Sequence, residues 1–397
     1  MTDHAVNPPA TGKTTRSLIN DPKIRGLFYQ GLTVVVMIIF VLWVIHNTSQ
    51  NLARSNTASG FGFLIGRAGF DVGQSLIAFS SDSTYARALL VGFLNTLLVA
   101  VTGIITATII GFLVGIGRLS RNWLIAKICT VYVEVFRNIP PLLVIFFWYS
   151  GVLSVLPGAR DSIHLPFGSF LNNRGLAFPK PMFGSLFWLT LVALVVAVAI
   201  SVVIARWAKK RQMATGQQFH TIWTVLGLII GLPLIVFLLS GSPLAFDYPI
   251  AGRFNLTGGS VVGPEFMSLF LALSFYTAAF IAEIVRSGIR SVAKGQTEAA
   301  NALGLQSSAI TRLVVVPQAM RIIIPPLSSQ YLNLTKNSSL AVAVGYADLF
   351  AVGGTVLNQT GQSIEIVTIL MVVYLSLSIA TSIFMNWFNA KMALVER

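Results

Sequence analysis

Tyr276, Thr277, Glu283 and Arg286 fall inside an apolar run over 264–289, and a second run over 318–340 ends in Asn333-Leu334-Thr335-Lys336-Asn337-Ser338-Ser339-Leu340. An ionisable group inside a hydrocarbon-length run is expensive to keep there, so each is a candidate for work that requires it. Glu283 and Arg286 stand three apart on one helical face, which suits a structural pair near the end of the run as well as a place along a path. Lys336, flanked by amides and hydroxyls, offers a point charge with hydrogen-bond donors beside it. That chemistry replaces the lost hydration of a zwitterion's carboxylate. The bland alternative is that Lys336 satisfies nearby carbonyls while the hydroxyls bond back into their own helix. Under either reading the stretch is too polar to face lipid and must line a cavity or pack on protein.

Other chemistries find no support. The single cysteine, Cys129, cannot close an internal disulfide, and His4, His46, His164 and His220 lack metal-ligand spacing. Thr11-Gly12-Lys13-Thr14-Thr15 resembles the end of a phosphate-binding loop, yet Asn7 stands where its first glycine is required, and neither strand nor helix flanks it. Nothing here forms a catalytic centre, and no cofactor or metal is expected on this chain.

The elements that position these residues follow from composition. With 55% hydrophobic and 10% charged residues over 397 and a mean hydropathy of +0.77, there is too little polar surface for a soluble core. Eight stretches reach the roughly 20 residues that cross a bilayer: 28–46, 88–117, 138–156, 183–206, 221–240, 264–289, 318–340 and 362–388. An all-α polytopic membrane protein is therefore expected, the apolar runs being too long for barrel strands. With the N-terminus inside, eighteen of 27 lysines and arginines fall on the cytoplasmic side and seven on the other, so the net charge of +14 reads as topology and not as a nucleic-acid patch. Both termini are then cytoplasmic, and the first run is a retained helix behind a loose tail over 1–27.

Several local expectations attach to this frame. Phe61, Phe63, Leu64 and Ile65 form an apolar piece suited to lying flat at the outer interface. Leu124 to Phe136, which mixes apolar residues with Lys127 and Glu134, suits an in-plane helix, and Pro140 and Pro141 start the third span, leaving Arg137 as an interfacial anchor or a gating residue. Gly111 and Gly115 are read as helix-packing residues, while Gly227 and Gly231 offer at most a close contact in an added hairpin.

Between the sixth and seventh spans lies Gly295-Gln296-Thr297-Glu298-Ala299-Ala300-Asn301-Ala302-Leu303-Gly304, followed by Val314-Val315-Val316-Pro317. Thr297 can cap a short helix over about 296–306, Gly304 permits the left-handed turn that ends it, and Ser307 or Ser308 can cap the next. Glu298 then sits near the positive N-terminus of that helix, and Ala299 and Ala300 allow close approach. A cytoplasmic helix with small residues on one side is what a motor protein's cleft could hold.

At these residues the chain resembles the permease subunits of ATP-binding-cassette (ABC) importers, whose signature is Glu-Ala-Ala, three residues, Gly, nine residues, then apolar-x-apolar-Pro. Glu298-Ala299-Ala300, Gly304, Val314, Val316 and Pro317 keep every spacing. Glu134 to Pro141, the run from Ser274 to Val292, Pro317 to Arg321, and Lys336 to Leu340 look like the polar amino-acid branch, so the likeness covers about 86–156 and 264–390. The extra first helix and the 157–262 insert make it similar to the larger permease component of general L-amino-acid importers of the Aap/Bzt type.

The resemblance implies a five-helix MetI-like core in two parts, 86–156 and 263–397, interrupted by the 157–262 insert and preceded by an extra helix and outer segment over 28–85. It implies ATPase coupling through Glu298, Ala299, Ala300, Gly304 and Pro317, and a substrate path near Tyr276, Glu283, Lys336, Asn337, Ser338 and Ser339. The implied partners are a second related permease in a heterodimer, two ATPase subunits holding ATP and Mg, a periplasmic amino-acid-binding protein, the L-amino-acid substrate and the lipid bilayer, in a Gram-negative inner membrane. The competing expectation is an ion-coupled secondary transporter or channel for amino acids, which would use Glu283, Glu365 and Lys336 without an ATPase.

Overall fold

The computed structural model describes residues 22–54, 60–252 and 255–392, so the expectations for the tail ahead of residue 22 lie outside the described residues. Its long elements are α1 (Pro22–Arg54), α2 (Tyr85–Gly117), α3 (Trp123–Asn138), α4 (Pro141–Phe146), α5 (Phe187–Thr215), α6 (Thr221–Leu239) and α7 (Pro264–Arg290). The chain continues through α8 (Lys294–Ala302), α9 (Ser307–Ile310), α10 (Val316–Asn337), α11 (Leu349–Thr360) and α12 (Ser363–Met392). Among the described residues, seven helices are long and apolar enough to cross a membrane, and α3 with the α4 segment forms a sharply bent pair that brings the number to eight when it is counted as one span.

The centre of the bundle is the pair α2 and α7. A Cβ on Gly111 would stand 3.0 Å from the Ala278 carbonyl oxygen, and one on Gly115 would stand 2.7 Å from that of Ala282. Both numberings rise together, so the two helices run parallel, and glycine lets their backbones meet where lipid supplies no hydrophobic drive. Leu269, Leu273, Ile281 and Val285 of α7 fill the core with Val99 and Ala107 of α2. Gly288 repeats the device toward α10, since its Cβ would lie 2.4 Å from Ile323 Cγ1. Gly227 and Gly231 meet nothing, and the hairpin packs instead through Ala193, Ala197, Ser201 and Ala208 of α5.

The third crossing differs from expectation. Pro140 caps α4 and Pro141 opens it, but α4 has six residues and its wide-turn continuation Phe147–Leu153 seven, about 20 Å in all and short of a bilayer. The chain turns by 111° at Ile139–Pro140, where proline withholds an N–H from the helical ladder, so α3 lies across the α4 segment and does not extend it. Lying across the α4 segment, α3 has the orientation an in-plane helix would take, and it is tethered to the bundle: the Tyr132 hydroxyl donates to the Phe275 carbonyl of α7 at 2.6 Å.

The seventh crossing is broken as well. After Asn337, α10 tightens into Ser338–Val344, turns left-handed at Gly345, and resumes as α11. Gly92 of α2 abuts Leu349, and the Tyr85 hydroxyl donates to Gln359 at 3.1 Å, so α11 runs antiparallel to α2 toward its start. At mid-bundle such a break needs polar partners of its own. Asp348 supplies them: it is fully buried, accepts from the Ala351 N–H at 2.9 Å and from the Tyr374 hydroxyl at 3.2 Å. The Thr96 hydroxyl accepts from Leu349 N–H, and Asn95 donates its amide to the Ala347 carbonyl at 2.9 Å.

The insert adds β structure to an otherwise helical chain. Strands β1 (Ile163–Leu165), β2 (Ser169–Asn172), β3 (Gly175–Phe178) and β8 (Ser260–Val262) form one antiparallel sheet in that order. Strands β4 (Lys180–Phe183) and β5 (Leu244–Asp247) pair beside it, as do β6 (Ile250–Ala251) and β7 (Leu256–Thr257). Residues before and after the α5–α6 hairpin thus close over its base, and β8 leads directly into α7 through Gly263. Gly175, with φ +113° and a Cβ position 2.0 Å from the Val262 carbonyl, could be no other residue. At the same end Phe63 and Leu64 pack against Ala68, Ala88 and Leu349 instead of lying flat, while Ile65 points outward.

Candidate functional site

The bundle has two ends, one carrying the sheet and the other carrying α8. Only Ser291, Val292 and Ala293 separate α7 from α8, so displacement of α8 must be felt by α7. The short helix begins earlier than its sequence signals suggest: Ala293 is the capping position, and the Thr297 hydroxyl bonds back to the Lys294 carbonyl at 2.7 Å instead of capping. Glu298 therefore sits in the second turn and is exposed, not among the free N–H groups. Gln306, not Ser307 or Ser308, precedes α9.

The stop of α8 is the expected one. Gly304 has φ +75°, its N–H donates to the Asn301 carbonyl at 2.9 Å, and Leu305 N–H reaches the Ala300 carbonyl at 3.3 Å. These two bonds satisfy carbonyls that a helix end otherwise leaves bare. Ala300 is buried against the chain's own wide turn, whereas Ala299 faces out and Leu303 is 81% exposed. Pro317 stands in the first turn of α10, and the wide turn Thr311–Val315 before it accommodates its missing N–H. The Gln318 side chain donates to Gln296 at 3.3 Å, tying α8 to α10 as well. Glu298, Ala299, Ala300, Gly304 and Pro317 are thus gathered at one end.

The other sequence candidates divide into two groups. On α7, Tyr276, Phe280, Glu283 and Ser287 form a stripe that the chain's own helices leave partly uncovered. The Tyr276 and Phe280 rings lie 5.0 Å apart, and the Arg137 guanidinium stands 5.7 Å over Phe280. Glu283 pairs with Arg286, as their spacing allows, and also with Arg118 at the end of α2. Arg137 approaches the same carboxylate at 3.9 Å, and Glu134 approaches Arg118 at 3.8 Å.

Lys336 belongs to the second group. Leu334 seats on Gly103, which lies about 27 Å from one end of α2 and about 21 Å from the other, so Lys336 is near the middle of the bundle. It is exposed within this chain and, with Ser339, Phe350 and Tyr374, lines a cleft of about 360 Å³ whose other walls are apolar side chains of α12. Ser338 does not reach that cleft; it is fully buried and its hydroxyl donates to the Thr335 carbonyl at 2.8 Å. Ser339 bonds back to the Lys336 carbonyl, and Asn337 is half-buried at the same break. Among the described residues no hydrogen bond or ring contact joins Tyr276 or Glu283 to the Lys336 cleft.

Sequence reasoning passed over Asp348, Arg118 and Glu134 as site residues. Asp348 was findable, because an aspartate three positions before Ala351 and ahead of an apolar run is a helix-start signature. The link from Arg118 to Glu283 spans 165 positions and carries no local signal.

Comparison with known proteins adds three relatives and a family. Residues 103–394 match the family described as binding-protein-dependent transport system inner membrane component. The general L-amino acid transport system permease protein AapQ of Rhizobium johnstonii is 74% identical over all of both chains. The putative amino-acid ABC transporter permease protein YhdX of Escherichia coli is 49% identical over 98% of this chain and 99% of that one. The glutamate/glutamine/aspartate/asparagine transport system permease protein BztB of Rhodobacter capsulatus is 41% identical over 99% of each.

Proposed function

From the premise that this chain belongs to the binding-protein-dependent transport inner-membrane family, as the permease component of an ABC importer, we propose that it imports L-amino acids of broad specificity. The family works with a separate ATPase and a binding protein, and its permease hydrolyses nothing itself. The ion-coupled alternative is therefore set aside. Breadth of substrate is supported by the full-length likeness to a relative named for general L-amino-acid transport.

The observation that carries the mechanism is α8: a nine-residue, exposed helix with a glycine stop, hung from α7 and α10. In the proposed complex α8 seats in a cleft of the ATPase subunit, which holds ATP and Mg at its own separate site, and Leu303 supplies an apolar anchor. Closure of two ATPases then drives α7 and α10 between two arrangements, a population shift produced by differential binding. The α8 end is the cytoplasmic one, supported by the concentration of Arg118, Arg121, Lys127, Arg206, Lys209, Lys210 and Arg211 on that side. Both termini are cytoplasmic on this reading, the sheet is periplasmic, and the membrane is a Gram-negative inner membrane.

A second, related permease completes the path. Support comes from Glu283 on the partly uncovered stripe of α7 and from the exposed mid-bundle Lys336, neither of which suits lipid. Lys336 then meets the substrate carboxylate, with Asn337, Ser338 and Ser339 shaping the break that presents it. Lys336→Met is expected to lower uptake in reconstituted vesicles by about tenfold, the loss of one charge-assisted bond of about 1.4 kcal/mol, while the ATPase still co-purifies. Undiminished uptake would remove Lys336 from the path.

A further inference from the structure

The broken third crossing has one firmly seated arm and one loosely seated arm. In the α4 arm Val144 and Ile145 are buried in the main core, whereas Val133 alone is buried in the sixteen residues of α3, which rests on that core through the partly buried Tyr132 and Phe136. On the opposing side α2, α7 and α10 meet at glycines with almost no clearance, so they move as one body with the α8 that hangs from them. The body also holds the tight half of an ion cluster, Glu283 with Arg118 and Arg286. The ionic contacts that reach it from α3 are long, Arg137 to Glu283 at 3.9 Å and Glu134 to Arg118 at 3.8 Å, beside the Tyr132 hydroxyl bond, ring contacts at Phe275 and the Arg137 guanidinium over Phe280.

We infer that α3 is a hinged arm, pivoting at Ile139–Pro140, and that Glu134 and Arg137 form a releasable latch closing it onto α2 and α7. Three guanidinium groups share two carboxylates, so Arg137 is the member most easily surrendered, and its place over Phe280 gives it a second seat. With the latch closed, α3 lays Cys129 against the end of α2: a Cβ on Gly117 would stand 2.6 Å from its Sγ. Resting on the importer reading, displacement of α8 is what opens the latch. Glu134 and Arg137 are positioning residues here, touching no substrate.

Cys129, the chain's one cysteine, reports the state of the arm. The assembled complex is treated with N-ethylmaleimide without nucleotide, and modification of the Cys129 peptide is followed by mass. Glu134→Gln with Arg137→Gln is expected to speed modification by about tenfold through the population shift, and Arg137→Lys to keep the slow rate. Both side chains are substantially exposed, so removal of their charges does not threaten the core. In the unaltered complex, ATP held without hydrolysis should bring the fast rate. A double variant as slow as the parent overturns the latch, as does Arg137→Lys matching Arg137→Gln. A parent indifferent to ATP beside a fast double variant supports the latch and counts instead against ATPase drive through α8.

Discussion

Gly304→Val removes about nine-tenths of ATP-driven uptake while leaving membrane insertion intact, because the residue ends α8 and not a membrane span. The position has φ +75° and open space around it, so the penalty comes from the backbone and not from a clash. A side chain in the left-handed region costs about 1–2 kcal/mol, more for a β-branched one, which shifts the formed stop by about five- to thirtyfold. A nine-residue helix has no reserve against that loss, since isolated helices of this length do not hold. Loss of the stop frees the Ala300 and Asn301 carbonyls and redirects Leu303. Gly304→Asn is the control, because asparagine tolerates this region. Uptake and ATPase co-purification should fall together in the valine variant and largely persist in the asparagine variant; equal activity of both would show that the stop of α8 carries no coupling.

Asp348→Leu is expected to lower the thermal midpoint of the solubilised protein by several degrees and to reduce the folded yield sharply. The substitution leaves the Ala351 N–H and the Tyr374 hydroxyl without their acceptor in the bundle interior, at about 1–3 kcal/mol for each stranded group. The Thr96 and Ser338 hydroxyls also stand beside the Tyr374 hydroxyl and soften its loss, so most of the effect falls on the Ala351 N–H at the start of α11. Asp348→Asn keeps a side-chain oxygen for the cap and should retain most of the stability. Thermal unfolding followed by size-exclusion chromatography separates the two; a leucine variant as stable as the parent would mean that the break in the seventh crossing needs no polar cap.

The span count and the stop of α8 were legible in the sequence because both depend on local composition: apolar length for the first, one glycine at the required offset for the second. Thr297 misled because a hydroxyl inside a first turn bonds back to a carbonyl as readily as it caps, and the choice depends on where α7 lets go of the chain. The two broken crossings were hidden for another reason. Pro140 and Gly345 announce interruptions, but whether the chain then leaves the bundle or resumes within it is decided by Phe275 and by Asn95 and Thr96, far away in sequence. The strands of the insert were missed because they are two to four residues long and because β3–β8 and β4–β5 pair across the α5–α6 hairpin.

The path residues were legible only as a list. Periodicity places Tyr276 and Glu283 on one face of α7, yet it could not reveal that Arg118 claims the Glu283 carboxylate or that Ser338 turns inward. Those facts arise from the parallel packing of α2 on α7 and from the tightening of α10 after Asn337.

The central claim is tested most directly by uptake of labelled L-glutamate, L-glutamine, L-histidine and L-leucine into vesicles holding this chain with whatever membrane and ATPase subunits co-purify with it. Uptake of several of these, only with ATP inside the binding-protein-free face and with the binding protein on the other, is the predicted result. Accumulation driven by an ion gradient without ATP would contradict it.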